Sequence, residues 1–154
     1  MPTINVLPVT SMDELREALA VRLHVFVDEQ GVPAEEEIDR YDASPTGAPD
    51  AEALHILARA GRVTVGAARL LLDAPPGGAV HLGRVAVLQE WRRHGVGNVL
   101  MERLHAEARA RGYRTIEISA QVQAIPFYER LGYVGDGPVY LEAGIDHRAM
   151  RYAL

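Results

Sequence analysis

The 154-residue chain contains no cysteine. That excludes disulfides, thiolate metal sites, iron–sulfur clusters and a cysteine nucleophile, and with the last it excludes the commonest covalent acyl-enzyme route. It fits a reducing cytoplasm, the expected location. No apolar stretch approaches the roughly 20 residues that a membrane span requires, so no membrane association is expected. The N-terminal stretch "MPTINVLPVTSMDELREAL" has no basic start followed by an apolar segment and does not read as a secretory signal. An excess of positive charge is also lacking. Sixteen basic residues face 21 acidic ones, a formal net charge of -5, which disfavours a broad nucleic-acid-binding face. Internal repeats and low-complexity segments are absent. None of the histidines at 24, 55, 81, 94, 105 and 147 stands at helical H-x-x-x-H metal spacing, and no metal is expected; each reads first as a structural histidine.

What is present suits one compact domain over residues 1–154: 48% hydrophobic residues in a length that supports one core. "INVLPV" reads as a short strand ended by Pro8. Ser11 with Glu14 three residues on has the spacing of a capping box, and Leu15, Ala18, Leu19, Arg22, Val25 and Phe26 recur at helical spacing. Residues 28–50, rich in acid, Pro and Gly, predict a loop with one helical turn. "EALHILARA" and "RVTVGAARLLL", split by Gly61–Arg62, predict a hairpin. "VHLGRVAVL" is the next strand. A helix from about His94 to Arg111 puts Val96, Leu100, Leu104 and Ala108 on one stripe, with Gly112 where a left-handed cap needs glycine. "YRTIEISA" is a strand, "AIPFYERLG" a short helix closed by Gly132, and two strands finish the chain. Met12, Met101 and Met150 read as packing. The predicted order is β-α-β-β-β-α-β-α-β-β: an α/β (α+β) domain with a mixed, mostly antiparallel sheet flanked by helices.

The densest local signal is "RRHGVGNVLM", Arg92 to Met101, directly after the apolar run "RVAVL". A strand-to-helix turn exposes the first helix amides, which lack intrahelical acceptors, and the helix dipole adds positive charge there. Gly95 and Gly97 let a bulky anion approach the backbone, and Arg92 and Arg93 add charge that pairs with phosphate oxygens. This is the chemistry of a pyrophosphate cradle. A Walker-type loop would end in Gly-Lys-Ser/Thr, whereas Asn98–Val99 follow here. A dinucleotide fingerprint would place a third glycine where Leu100 stands, in a parallel crossover this order does not provide.

The pattern resembles the acetyl-CoA loop of the GNAT acyltransferases. "RRHGVG" is similar to that superfamily's Q/R-x-x-G-x-G/A motif, "FYERLGY" to its F-Y-x-x-x-G-F/Y segment, and "VRLHVFVDEQGVP", "AQVQAIPFYERLGY" and "YLEAGIDHRAM" look like its ElaA-type branch. The resemblance implies a GNAT fold and transfer of an acetyl group from acetyl-CoA to a small-molecule or peptide amine. It also implies a cofactor site formed by Val85, Ala86, Val87, Arg92, Arg93, His94, Gly95, Val96 and Gly97. In that fold the "RVAVL" strand splays from "TIEISA", so free amides and carbonyls of Val85 and Val87 would pair with pantetheine. Val87 N–H would act as an oxyanion donor, and Tyr128 would assist the departing thiolate. Glu29 in "FVDEQ", a segment placed beside the acceptor cleft, is the candidate for holding or deprotonating the amine. The acidic run Glu35, Glu36, Glu37, Asp39 and Asp42 hints at a cationic acceptor. A homodimer through an exposed last strand is a further expectation of the resemblance. Two alternatives stay open: a non-catalytic acyl-CoA sensor or interaction module, and a nucleotide-binding protein.

Overall fold

The computed structural model describes residues 2–154. The elements follow in the order β1 (Ile4–Pro8), α1 (Met12–Arg22), α2 (Ala34–Glu37), β2 (Ala53–Ala60), β3 (Val63–Leu71), β4 (Ala79–Val87), α3 (Val96–Ala110), β5 (Thr115–Gln121), α4 (Ile125–Arg130), β6 (Val134–Glu142) and β7 (Ile145–Ala153). The seven strands form one sheet in the order β1-β2-β3-β4-β5-β7-β6. Every neighbouring pair is antiparallel except β4 and β5. The predicted order of elements holds throughout.

Local signals act as their chemistry requires. Ser11 caps α1 by accepting from Glu14 N–H, but the reciprocal half of the box is shifted by one residue, because the Glu14 carboxylate accepts from Thr10 N–H at 2.8 Å. Gly61 turns the β2–β3 hairpin with φ +61, and Gly112 ends α3 with φ +83. The first helix runs on past Phe26, but from Leu23 to Glu29 it widens into a π-helix, a form that recurs at functional sites.

Strand alternation divides the apolar residues between two faces. Leu54, Ile56 and Leu70 pack with Val96, Leu100 and Leu104 of α3. Leu57 and Ala67, of opposite parity, pack with Leu15 and Ala18 of α1. The two helices therefore cover opposite faces of the sheet. Gly66 on β3 sets how closely α3 lies: a Cβ there would meet Leu100 Cδ1 and Val96 Cγ1 at 3.0 Å. Met101 and Met150 are buried in this core, as expected, whereas Met12 is 45% exposed because it opens α1 ahead of the buried stripe. The last strand is not exposed: β7 lies between β5 and β6, and β6 is the edge, carrying exposed Val134, Val139 and Leu141.

Candidate active site

The site arises where β4 leaves β5. The two strands pair only at Ala79–Thr115, Val80–Ile116 and His81–Glu117. Beyond that, the register between β3 and β4 shifts, from Ala67 opposite Ala86 to Arg69 opposite Gly83, so Arg84 and Val85 together face Ala68. Arg84 takes up the extra residue with φ +54. Such a bulge bends its strand and increases the local twist, while β5 runs straight on against β7 as far as Gln121 opposite His147. The parted strands enclose a cavity of about 810 Å³.

Backbone alternation decides what β4 offers to this cavity. Leu88 N–H donates to Val65 O at 2.9 Å, which makes Leu88–Val65 and Ala86–Ala67 hydrogen-bonded pairs and turns the Val87 amide away from β3, toward the parted β5. The expectation that both backbone groups of Val87 are free is corrected: its carbonyl accepts from Arg92 Nε at 2.9 Å, leaving the N–H. Ala86 spends its backbone on Ala67 and packs its side chain with Val21 and Val25, so only Val85 and Val87 of the three present backbone to the cleft.

At the far end of β4 the turn into α3 contributes two left-handed residues, Arg93 (φ +65) and Gly95 (φ +80). The first i→i−4 bond is Val99 N–H to Gly95 O at 3.2 Å, so the amides of Val96, Gly97 and Asn98 precede it and point outward; these residues line the cavity. The two glycines serve different needs. Nothing stands within 4 Å of a Cβ on Gly95, whose requirement is conformational. A Cβ on Gly97 would meet Phe127 Cζ at 3.1 Å, so Gly97 is demanded by the contact between α3 and α4 and not by an approaching anion alone.

Arginine placement also departs from the sequence reading. All sixteen basic residues are arginine. Arg92 donates to Glu29 Oε2 at 2.7 Å, so the two residues assigned to phosphate and to amine hold each other. Arg93 lines the cavity, exposed and without an ion pair among the described residues; Arg130 at the end of α4 does the same, and local pattern did not single it out. His94 lies off the cavity wall, with its ring edge-on to Trp91 at 6.2 Å.

Tyr128 lines the cavity from α4, packed edge-on against Phe127 at 5.1 Å and Tyr133 at 5.6 Å between ring centroids. Burial pushes its phenol up to about 12, so it holds its proton. Across the cleft Gln30, at the end of the π-helix, and Gln121, at the end of β5, exchange two amide hydrogen bonds of 3.1 and 2.7 Å. Ninety-one residues separate them, a pairing that periodicity cannot reveal.

The acidic loop is only in part a free anionic surface. Glu37 and Asp42 are buried. Arg22 binds Glu37 at 2.9 Å and Asp42 at 2.6 Å, Arg69 binds Asp39 at 2.6 Å and Asp42 at 3.0 Å, and Arg84 stands 3.1 Å from Glu37. Burial alone would raise the Asp42 carboxyl, but the hydrogen bonds and charge of Arg22, with Arg69, hold it well below the usual carboxylate range. Three arginines thus neutralise Glu37, Asp39 and Asp42, while Glu35 and Glu36 stay exposed without an ion pair among the described residues and Glu36 borders the cavity. His55 is buried in this network and donates to Tyr41 O at 2.8 Å, away from the cleft; His81 and His147 line the cleft.

Comparison with known proteins agrees with this geometry. The sequence profile of the family described as Acetyltransferase (GNAT) domain matches residues 25–154. The protein named uncharacterized N-acetyltransferase YjcF from Bacillus subtilis is 39% identical over 139 residues, 90% of this chain and 91% of that one. Among solved structures, Escherichia coli ElaA superposes with a TM-score of 0.82 at 28% identity, covering 97% of this chain and 99% of that one. An acyl-CoA N-acyltransferase from Pseudomonas aeruginosa gives a TM-score of 0.78 at 31% identity, with 97% and 99% covered.

Proposed function

The chain belongs to the GNAT acetyltransferase family, and from that premise we propose that it moves an acetyl group from acetyl-CoA to an amine by direct attack, with both substrates bound at once. One observation carries the reading. The bulge at Arg84 parts β4 from β5 and leaves the Val87 N–H facing a cavity that Tyr128 lines from α4. An amide donor fixed by a strand is suited to charge developing on a thioester oxygen, and a protonated phenol is suited to the departing sulfur.

Acetyl-CoA enters this account as a substrate. Its pyrophosphate fits the open amides of Val96, Gly97 and Asn98 behind the left-handed Gly95, and Arg93 and Arg130 supply positive charge that no carboxylate of the described residues neutralises. Arg92 acts differently. Through the Val87 carbonyl and Glu29 it joins the end of β4 to the π-helix and fixes the Val87 amide. With no cysteine to form a covalent intermediate, orientation of amine against thioester contributes to the rate beside the Val87 amide and Tyr128.

Acetyl-CoA at about 100 times its dissociation constant adds roughly 2.7 kcal/mol of stability, a rise of a few degrees in Tm, and thiol release should follow when a panel of small amines and peptides with free N-termini is added. Equal stabilisation by NAD or ATP refutes the substrate assignment. Tight binding of acetyl-CoA with no thiol release across the panel identifies a sensor instead of an enzyme.

A further inference from the structure

Sequence reasoning put the acceptor-side base at Glu29, but that carboxylate is held by Arg92. Glu37, also on the cavity wall, is held by Arg22 and Arg84. The same cavity has a second polar end, made by β5 and the β6–β7 hairpin. The hairpin turns through Ala143 (φ +52) and Gly144 (φ +76), the two left-handed positions of a type I′ turn. This tight connection sets Glu142 opposite Ile145 and Tyr140 opposite His147.

We propose that Glu142 and His147 are the acceptor-side catalytic pair, in which the Glu142 carboxylate holds the ammonium group of the incoming amine and His147 Nε2 takes its proton. The proposal rests on the acetyltransferase reading of the cleft. His147 Nδ1 lies 2.7 Å from Ile145 O. A carbonyl only accepts, so Nδ1 carries a hydrogen, and it is Nε2 that offers a lone pair whenever the ring is neutral. Glu142 Oε2 lies 3.6 Å from that nitrogen. With the ring neutral, two acceptors face one another, an arrangement completed by an N–H donor that reaches both.

The surroundings fix this pair in place. Ser119 Oγ donates to Glu142 Oε2 at 3.1 Å and is itself bonded to the Tyr140 hydroxyl. The His147 ring stacks on Tyr140 at 6.1 Å between centroids. The Glu142 side chain is 55% exposed and that of His147 is 9%, so an entering cation meets the carboxylate first and the imidazole behind it. The groups facing His147 are Tyr140 and Glu142 from β6 and its register partner Gln121 from β5; the β4 wall of the cavity contributes His81 and Arg84.

The reaction balances without a further reagent. The ammonium gives one proton to His147, which returns it to solvent. The freed lone pair forms the N–C bond to the thioester carbon and the C–S bond breaks. The sulfur takes a proton from Tyr128, which recovers the second proton lost by nitrogen.

Two experiments test the pair in the full chain. In the complex with CoA, where no acetyl group is available, n-butylammonium chloride is titrated against the ¹⁵N imidazole signals. His147 should shift beyond the other five histidines, and the selective shift should vanish in Glu142→Gln, an exposed change that spares the fold. Six histidines shifting alike, the mark of ionic strength alone, overturns the proposal. With the amine that wild type acetylates fastest, Glu142→Gln should raise the amine KM about tenfold with little change in kcat. His147→Gln should lower kcat about 10²-fold at neutral pH, and the deficit should shrink as pH rises and the amine deprotonates unaided. A deficit constant at every pH marks a structural role and overturns the assignment. Retained acetyl-CoA stabilisation in both variants separates this failure from failure of the acetyltransferase reading.

Discussion

Replacing Tyr128 by Phe removes one oxygen from the cleft and almost nothing from the fold. The hydroxyl makes no hydrogen bond among the described residues, and the ring keeps its edge-on contacts with Phe127 and Tyr133. Stability should therefore stay within about 0.5 kcal/mol of wild type, the ordinary range for a change that breaks no packing or polar contact. Acetyl-CoA affinity should be unchanged, since the proposed phosphate site is the start of α3 and not the phenol. The loss belongs to the barrier. General acid assistance is worth about 10² or more in rate, roughly 2.7 kcal/mol of transition-state stabilisation. With the phenol pushed up to about 12, only about one molecule in ten thousand is ionised at pH 8, so wild type should keep its rate through the alkaline range where an ordinary tyrosine begins to titrate. Single-turnover thiol release, with acetyl-CoA binding measured separately, distinguishes the effects. The variant's deficit should narrow for a thioester with a more acidic thiol, which departs with less help. Full turnover in Tyr128→Phe when chemistry limits the rate refutes the role given to the phenol.

Arg93→Ala and Arg130→Ala should each weaken CoA binding more than binding of a pantetheine thioester that lacks the phosphates, measured by titration calorimetry; equal weakening of both ligands would place these arginines in folding. Gly97→Ala should press on Phe127 and displace the neighbouring Tyr128, costing about 1–3 kcal/mol and lowering kcat, whereas Gly95→Ala should cost about 1–2 kcal/mol for its left-handed backbone with the loss appearing in CoA affinity; thermal melts and steady-state kinetics separate the two patterns. Burial, with Arg109, depresses the His105 imidazole to about 4, and burial also depresses His55. Below about pH 6.5 the unfolded chain binds these protons and the folded chain does not, so stability should fall between pH 6.5 and 4, by about 3 kcal/mol for His105. The Asp42 contribution is lost only below about pH 4, its folded value being lowered; a His105→Gln variant whose melts keep the wild-type slope between pH 6.5 and 4 would refute the assignment.

The features legible in the sequence are those whose cause lies within a few residues. The stripe Val96, Leu100, Leu104 and Ala108 is an apolar repeat at helical period, and all four are buried in the core. Gly61 and Gly112 mark left-handed positions, and Ser11 marks a helix start. The strand-to-helix turn at Arg93–Gly97 was legible for the same reason, since a strand end, glycines and a helix start are local. The further demand that Phe127 places on Gly97 was not legible, because that neighbour in space is thirty positions away.

Order of elements, amphipathic faces, turn glycines and the family itself were thus determined by the sequence alone, because backbone conformation and burial period are set by neighbours along the chain. The tertiary structure decided which polar groups remain free. It joined Arg92 to Glu29, closed the acidic loop onto Arg22, Arg69 and Arg84, linked Gln30 to Gln121, put β6 rather than β7 at the edge, and brought His147 to 3.6 Å from Glu142. A charge is available for chemistry only if no opposite charge has reached it. That is settled by distances across the sheet, which depend on the β4 bulge and the strand order and not on spacing along the chain.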